Sequence, residues 1–458
     1  MFFFAGPGSV LPAGNGSGCQ SCANIFWQSS DVYAHRFHSV EFICFGLPIS
    51  AERPGASAKI QRAYALLRRK EMMGLRMGKM AIMARPCKVM LSGPMDGKGP
   101  SETCRKICQE WPGLGRETII YIPRIRLPDR LGIYRSVLPR ALSYLPYRHV
   151  GFWAVPRAAR RCAREVQAGE MVYLWMNVPL EWVAEAKAKG AVIVKECINI
   201  HASSAKPILD RAFERIGAPP QHAVTEELIQ YHNELLAMSD YVFAPNAFVE
   251  QSLIEAGARP EQILPTSYGT DLDDRPDLTR APRTEGPLRV LFVGRVCVGK
   301  GAHRLLEAWS RARIAGELTF AGNVDAFIVE RYKDILADDS IRMVGYQRDV
   351  AQFYRQADVF VFPSLEEGGP QVCYEAAAFG LPQITTPMGG GRIAEDGRNA
   401  LMVPHDDTEA LEDALRRMAA SAELRAHLGA NALVDVERYS WPNVARQRHQ
   451  LLIDKAGI

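Results

Sequence analysis

With 458 residues, 47% apolar and 23% charged side chains, the chain has the balance of a soluble globular protein. Its length exceeds what one hydrophobic core commonly serves, so two domains are expected, with room for a third segment. A formal net charge of +4 is too small to mark the whole molecule as a nucleic-acid binder, and no run of 18 apolar residues predicts a transmembrane helix.

The chain starts MFFFAGPGSVLPAG, which lacks the basic residues of a secretory signal, so secretion is not expected. Residues 1–86 differ from the rest. The first thirty carry no charge, and residues 59–85 carry eight Lys/Arg against a single acid, Glu71. A basic amphipathic helix from Ser57 to Ala84, able to touch a membrane surface, is one reading. An organelle transit peptide is another. The plainest is a poorly ordered or spurious N-terminal extension, with Met72, Met73, Met77, Met80 and Met83 as internal start candidates. Of ten cysteines only Cys19 and Cys22 have C-x-x-C spacing. No second pair completes a zinc set, so reduced thiols and no metal site are expected.

From Cys87 a regular pattern sets in. Apolar runs at 88–93, 117–123, 171–177, 191–196, 240–245 and 262–269 read as buried strands, most of them separated by helical stretches. This makes 87–271 a doubly wound α/β domain. Residues 124–164 within it hold ten arginines and one acid, Asp129, interleaved with Tyr, Trp and Leu. That strip suits an anionic membrane surface or is a solvated basic loop. Residues 272–287 are polar and proline-rich, the composition of a linker. The alternation restarts with strands at 288–294, 316–322, 341–346, 358–364, 381–386 and 400–404, giving a second such domain over 288–438. A ligand is expected in the cleft between the two, at the carboxyl ends of the strands. Residues 439–458 read as a final helix.

Two motifs carry chemistry. GRVCVGKG, Gly294 to Gly301, has the start of a phosphate-binding loop, but Gly301 stands where a nucleotide hydrolase needs Ser or Thr for magnesium. What remains is a strand end, Arg295, Lys300 and a helix start, all suited to a diphosphate. PSLEEGGPQVCYEA, Pro363 to Ala376, places Glu367 in a tight loop, Pro370 at a helix start and Glu375 one turn in. Carboxylates there suit vicinal sugar hydroxyls.

These motifs, the Glu367/Glu375 spacing and the run GLPQITTPMGGGRIAEDGRNALMVPHDDTEAL together resemble the group 1, or family 4, glycosyltransferases of GT-B fold. The resemblance covers 288–441 well and 87–270 more weakly, through SYGTDLD at Ser267–Asp273. It implies two Rossmann-like domains facing across a cleft, with the 439–458 helix returning to the first. It implies a retaining, metal-independent hexosyl-type transfer with no cofactor, a nucleotide-diphosphate sugar as co-substrate, and a saccharide or lipid-linked acceptor in polysaccharide or glycoconjugate biosynthesis. The location implied is cytoplasmic, peripheral on the inner membrane face. Arg295 and Lys300 would hold the diphosphate beside Gly294, backbone at Gln371, Val372 and Cys373 would meet phosphate, and Gly368 would belong to the donor site. Glu367 would face the sugar and Glu375 the ribose. Gly345 and Tyr346 would lie near the base, and the loop Gly97–Gly99 would approach from the first domain. His201 is the candidate polar residue beside the sugar, with Glu196 a weaker one. An aromatic is usual in the family where Gly369 stands, which leaves the packing of that loop open. The alternatives are an epimerase or hydrolase acting on a sugar nucleotide, or a non-catalytic binding protein that keeps the fold.

Overall fold

A computed structural model describes residues 84–272 and 286–458. The amphipathic or transit-peptide reading of the extension, the Cys19/Cys22 pair and most of the linker lie outside the described residues. What is described belongs to one compact unit, Ile82–Ile458.

The first half begins with β1 (Cys87–Leu91), α1 (Gly99–Cys108), β2 (Thr118–Ile122), β3 (Tyr134–Ser136) and α2 (Tyr147–Glu165). It continues with β4 (Met171–Trp175), α3 (Leu180–Ala188), β5 (Val192–Glu196), α4 (Ala202–Arg215), α5 (Glu226–Met238), β6 (Tyr241–Ala244), α6 (Ala247–Glu255) and β7 (Ile263–Pro265). All seven strands pair in parallel in the order β3-β2-β1-β4-β5-β6-β7. Helices cover both faces, so β1 and β4 are buried along their whole length, as their near-continuous apolar runs require. Polar residues start the helices where the chain leaves a strand. Asn246 accepts the Val249 N–H at 2.8 Å and Thr225 the Leu228 N–H at 3.3 Å, satisfying donors that an uncapped first turn would orphan.

The second half runs β8 (Leu288–Val293), α7 (Ala302–Ala312), β9 (Gly316–Ala321), α8 (Ala326–Arg331), α9 (Lys333–Leu336), β10 (Ile341–Gly345), α10 (Ala351–Gln356) and β11 (Val359–Phe362). Then come α11 (Gln371–Ala378), β12 (Gln383–Thr385), β13 (Ala400–Met402), α12 (Thr408–Ala420), α13 (Ala422–Val436) and α14 (Trp441–Ala456). Its six strands are again all parallel, in the order β10-β9-β8-β11-β12-β13. The amphipathic α7 shows the logic: Leu305, Leu306, Ala308, Trp309 and Ala312 are buried, while Arg311 and Ser310 face outward.

The α/β expectation of two doubly wound parallel sheets therefore holds. One strand was not anticipated. β3, Tyr-Arg-Ser, is a half-buried edge strand inside the arginine-rich stretch and has no apolar alternation to announce it. The last helix, α14, leaves the second half and packs on α1 of the first. There the Trp111 indole N–H donates to the Ala445 carbonyl at 3.2 Å, and Arg116 Nη2 donates to the Ile458 carbonyl at 2.7 Å.

Candidate active site

Strand order reverses between β1 and β4 in the first sheet and between β8 and β11 in the second. At such a point the loops leaving adjacent strands diverge to opposite faces and open a crevice. Here the two crevices face each other. Gly99 after β1, Asn177 after β4, Arg295 after β8 and Glu367 after β11 all line one cavity of about 560 Å³.

The loop after β8 makes a short turn, Val298–Lys300, and Gly301 then opens α7 with φ of 69°. A Cβ on Gly301 would lie 1.9 Å from the Pro363 carbonyl oxygen, so the close approach of the β8 and β11 loops requires glycine there. That contact delivers Lys300 to the other loop. Its ammonium bonds Glu367 Oε1 at 2.7 Å, Glu366 Oε1 at 3.3 Å and the Glu366 carbonyl at 3.1 Å. Burial opposes the charge on Lys300, but Glu366 and Glu367 outweigh it and hold its pKa above the ordinary value. Burial lifts the Glu366 carboxyl above its usual range, with Lys300 opposing and Glu367 reinforcing the shift. Arg295 is more open, and its Nε donates to Asp325 Oδ1 at 2.6 Å.

Pro370 ends the β11 loop and α11 starts at Gln371. Of the three residues expected to offer N–H groups to phosphate, Gln371 and Val372 line the cavity. Cys373 does not serve this purpose: its N–H donates to the Pro370 carbonyl at 3.0 Å, and its buried thiol lies 3.0 Å from the Gly389 carbonyl. Glu375 accepts the Tyr354 hydroxyl at 2.9 Å, and burial raises its pKa against the pull of that bond. Gly369 lies against the Tyr268 ring of the first half, where a Cβ would come within 2.1 Å of Cδ2. The aromatic group thus arrives from across the cleft, which accounts for the packing of the loop without a side chain at 369.

On the first-half wall, His201 caps α4. Its Nδ1 takes the Ser203 N–H at 3.3 Å and contacts Ser203 Oγ at 2.8 Å. Burial, then the nearby Lys195 charge, lower its pKa to about 4, so the ring is neutral at pH 7. Glu196 is not free for proton transfer. Arg448 of α14 binds both its oxygens at 2.7 and 3.2 Å, the Tyr268 hydroxyl donates to it at 2.8 Å, and the Tyr173 hydroxyl also donates to it. Both charged side chains are fully buried, so the weaker catalytic candidate is a structural ion pair.

Of the anticipated residues, Gly99, Glu196, His201, Gly294, Arg295, Lys300, Glu367, Gln371 and Val372 meet at the cavity. Gly97, Gly345, Tyr346, Gly368, Cys373 and Glu375 are not in its lining. Tyr346 is 53% exposed, with the Lys98 ammonium 5.2 Å from its ring centroid. The Gly368 carbonyl accepts from Asn246, tying its loop to the first half. Sequence reasoning missed Glu366, Asn199, Lys195, His232 and Tyr268. The adjacent Glu366–Glu367 pair was visible, but not that both carboxylates would meet Lys300. Asn199 Nδ2 donates to Glu366 Oε2 at 2.9 Å, a contact between residues 167 positions apart that no local pattern signals.

Residues 287–421 match the sequence family described as "Glycosyl transferases group 1". The chain is 31% identical over 209 residues to a D-inositol 3-phosphate glycosyltransferase of Saccharomonospora viridis, covering 40% of this chain and 48% of that one. It is 27% identical over 247 residues to a glycogen synthase of Mycobacterium tuberculosis, covering 50% and 58%. The matched stretches thus span about half the length of these relatives. Among solved structures, a sucrose-phosphate synthase from Thermosynechococcus elongatus superposes with a TM-score of 0.61 at 20% identity, covering 81% of this chain and 99% of that one. Anabaena Alr3699/HepE, crystallised with UDP, superposes at 0.59 and 14% identity, covering 80% and 99%. Residues 287–421 are thus similar to the group 1 glycosyl transferases, and the described residues share the two-sheet GT-B fold of these solved structures.

Proposed function

We propose that this protein is a retaining glycosyltransferase that moves a hexosyl group from a nucleotide-diphosphate sugar to a saccharide or lipid-linked acceptor, without a metal cofactor. The observation that carries the reading is the placement of Lys300. A half-buried ammonium at the end of the β8 loop, flanked by Glu366 and Glu367, shares a cleft of about 560 Å³ with the start of α11. A leaving diphosphate there would meet Lys300, Arg295 and the N–H groups of Gln371 and Val372. These are full and partial positive charges aimed at charge that develops as the glycosidic bond breaks. Glu367 would accept donor-sugar hydroxyls and Glu375 those of the ribose. The acceptor would then attack on the face the diphosphate leaves, so no side-chain nucleophile is required.

A panel of UDP-, GDP- and ADP-sugars, followed for nucleotide release with and without acceptors, tests this. Acceptor-dependent release from one donor is expected, falling at least about 100-fold in Lys300→Ala, the scale of losing one such stabilising group. Release that ignores the acceptor, or survives Lys300→Ala unchanged, would refute it.

We propose further that the protein works at an anionic membrane surface. Within 124–164, Tyr144 is 72% exposed and Phe152 67% exposed, among Arg126, Arg148 and Arg157. Exposed aromatics beside guanidinium groups suit a headgroup layer. No helix among the described residues is long and apolar enough to cross a membrane. Flotation is expected with vesicles containing anionic lipid and not with purely zwitterionic ones; equal behaviour would end the membrane role.

A further inference from the structure

The donor reading uses the second-half wall of the cavity and leaves the basic groups of the first-half wall unexplained. Lys195 is the penultimate residue of β5, only 6% exposed, and it lines the cavity. Glu196, next in the strand, also lines the cavity, but Arg448 and two tyrosines occupy its carboxylate. Among the described residues no carboxylate lies within 4.0 Å of the Lys195 ammonium, and its near polar neighbour is the Cys197 thiol. The Lys195 Nζ is not fully buried, so the ammonium meets the cavity, where a positive charge without a counter-charge suits a ligand anion.

Two imidazoles share this wall. His232 on α5 and His201 both line the cavity, with ring centroids 5.5 Å apart. His232 Nδ1 and His201 Nε2 are buried without hydrogen-bond partners. Because His201 Nδ1 accepts the Ser203 N–H, the neutral ring carries its proton on Nε2. Burial and then the Lys195 charge hold His232 at about 3 and His201 at about 4, so both rings are neutral while Lys195 supplies the charge.

We infer that Lys195 and His232 form a subsite for a phosphate group carried by the acceptor, on the first-half wall of the cavity that Lys300 enters from the second. The inference rests on reading the cavity as a donor–acceptor cleft. A donor diphosphate has its own partners in Arg295, Lys300 and the start of α11, all on the other wall. Lys195 would provide the charge-assisted bond and His232 a neutral one, with Asn177 and Asn199 at the rim for hydroxyls.

The test uses calorimetry on the full chain. UDP is titrated first, and then, at saturating UDP, glucose 6-phosphate, glucose and inorganic phosphate. Glucose 6-phosphate is expected to bind at least about tenfold tighter than glucose, the scale of a hydrogen bond to a charged group. Lys195→Met should abolish that preference and leave UDP affinity unchanged, while His232→Asn, which keeps a polar side chain, should reduce it about threefold. Equal binding of glucose and glucose 6-phosphate, or a preference that survives both variants, overturns the subsite. Loss of UDP affinity in Lys195→Met, or phosphate competing with UDP rather than joining it, assigns the lysine to the donor and also overturns it. Failure of the wild-type chain to bind any nucleotide would instead strike the donor reading. The glucose 6-phosphate titration without UDP would then still decide the subsite.

Discussion

Gly369 owes its identity to a residue 101 positions earlier. The Tyr268 ring occupies the volume that a side chain at 369 would need, and Glu196 anchors that ring through its hydroxyl at 2.8 Å. Gly369→Ala is therefore expected to destabilise the fold by about 1–3 kcal/mol, as overpacking does. Combining it with Tyr268→Ala should cost less than the sum of the two single changes, because truncating the ring removes the clash and the added methyl fills part of the space it leaves. Unfolding midpoints of the three variants check this, and strict additivity would refute the contact. Glu375 makes a second residue-scale case. Burial raises its pKa, so the folded state holds the proton more tightly than the unfolded one. The sign follows from linkage: stability is unpenalised below the unfolded pKa and falls as pH rises through the folded one. Glu375→Gln should remove that fall, leaving the protein at least as stable at pH 7.5 as the wild type. Its UDP affinity should drop about 10–100-fold if the carboxylate binds ribose. Melting curves at pH 4.5 and 7.5 with UDP titrations separate the two effects.

Among the elements, α14 binds the halves together through one buried charge. Arg448 is fully buried and reaches Glu196, the Tyr173 hydroxyl and the Ser267 carbonyl, the last at 3.0 Å. Burial works against its charge, but Glu196 and Tyr173 hold its pKa above the ordinary value. Removing one partner of such a pair strands the other, so Arg448→Met is expected to cost about 3–5 kcal/mol. Adding Glu196→Gln should recover a large part of this, since the stranded charge is then gone. Denaturant midpoints of the cycle decide, and a double variant no more stable than Arg448→Met would show that the arginine matters for its packing alone. The edge strand β3 teaches a different point. It pairs with β2 through backbone only, so a three-residue polar segment can be strand without any pattern in its side chains.

Across the described residues, polar contacts stitch the two halves together, some at the cavity and some away from it. Asn199 meets Glu366 at 2.9 Å, Gln371 meets Thr103 at 2.6 Å, Arg215 meets Asp406 at 2.5 Å, and Arg392 bonds Glu250 and the Thr266 carbonyl. Most are partly exposed, so each contributes little to stability on its own. Their effect belongs to the closed arrangement of the cleft. Asn199→Ala should shift the unfolding free energy by under about 1.5 kcal/mol, yet raise the donor KM roughly 2–10-fold, the equivalent of one hydrogen bond. A change in stability with donor KM untouched would place the contact outside the working site.

Local sequence determined the doubly wound architecture, the restart of the pattern at Leu288 and the position of Lys300 and Gly301 at the first turn after β8. Those features follow from side-chain period, backbone sterics and turn chemistry, which act over a few residues. Tertiary structure alone decided which acid meets which base. Glu196 looked available in sequence and is bound to Arg448, 252 residues away; Cys373 looked like a phosphate donor and spends its N–H on Pro370. Lys195 carried no motif, and among the described residues no carboxylate pairs with it at the cavity wall, since the neighbouring Glu196 is held by Arg448. The physical reason is range: a chain's periodicity reports which face is buried, whereas a site is an arrangement of charges brought together by packing between segments that share no local pattern.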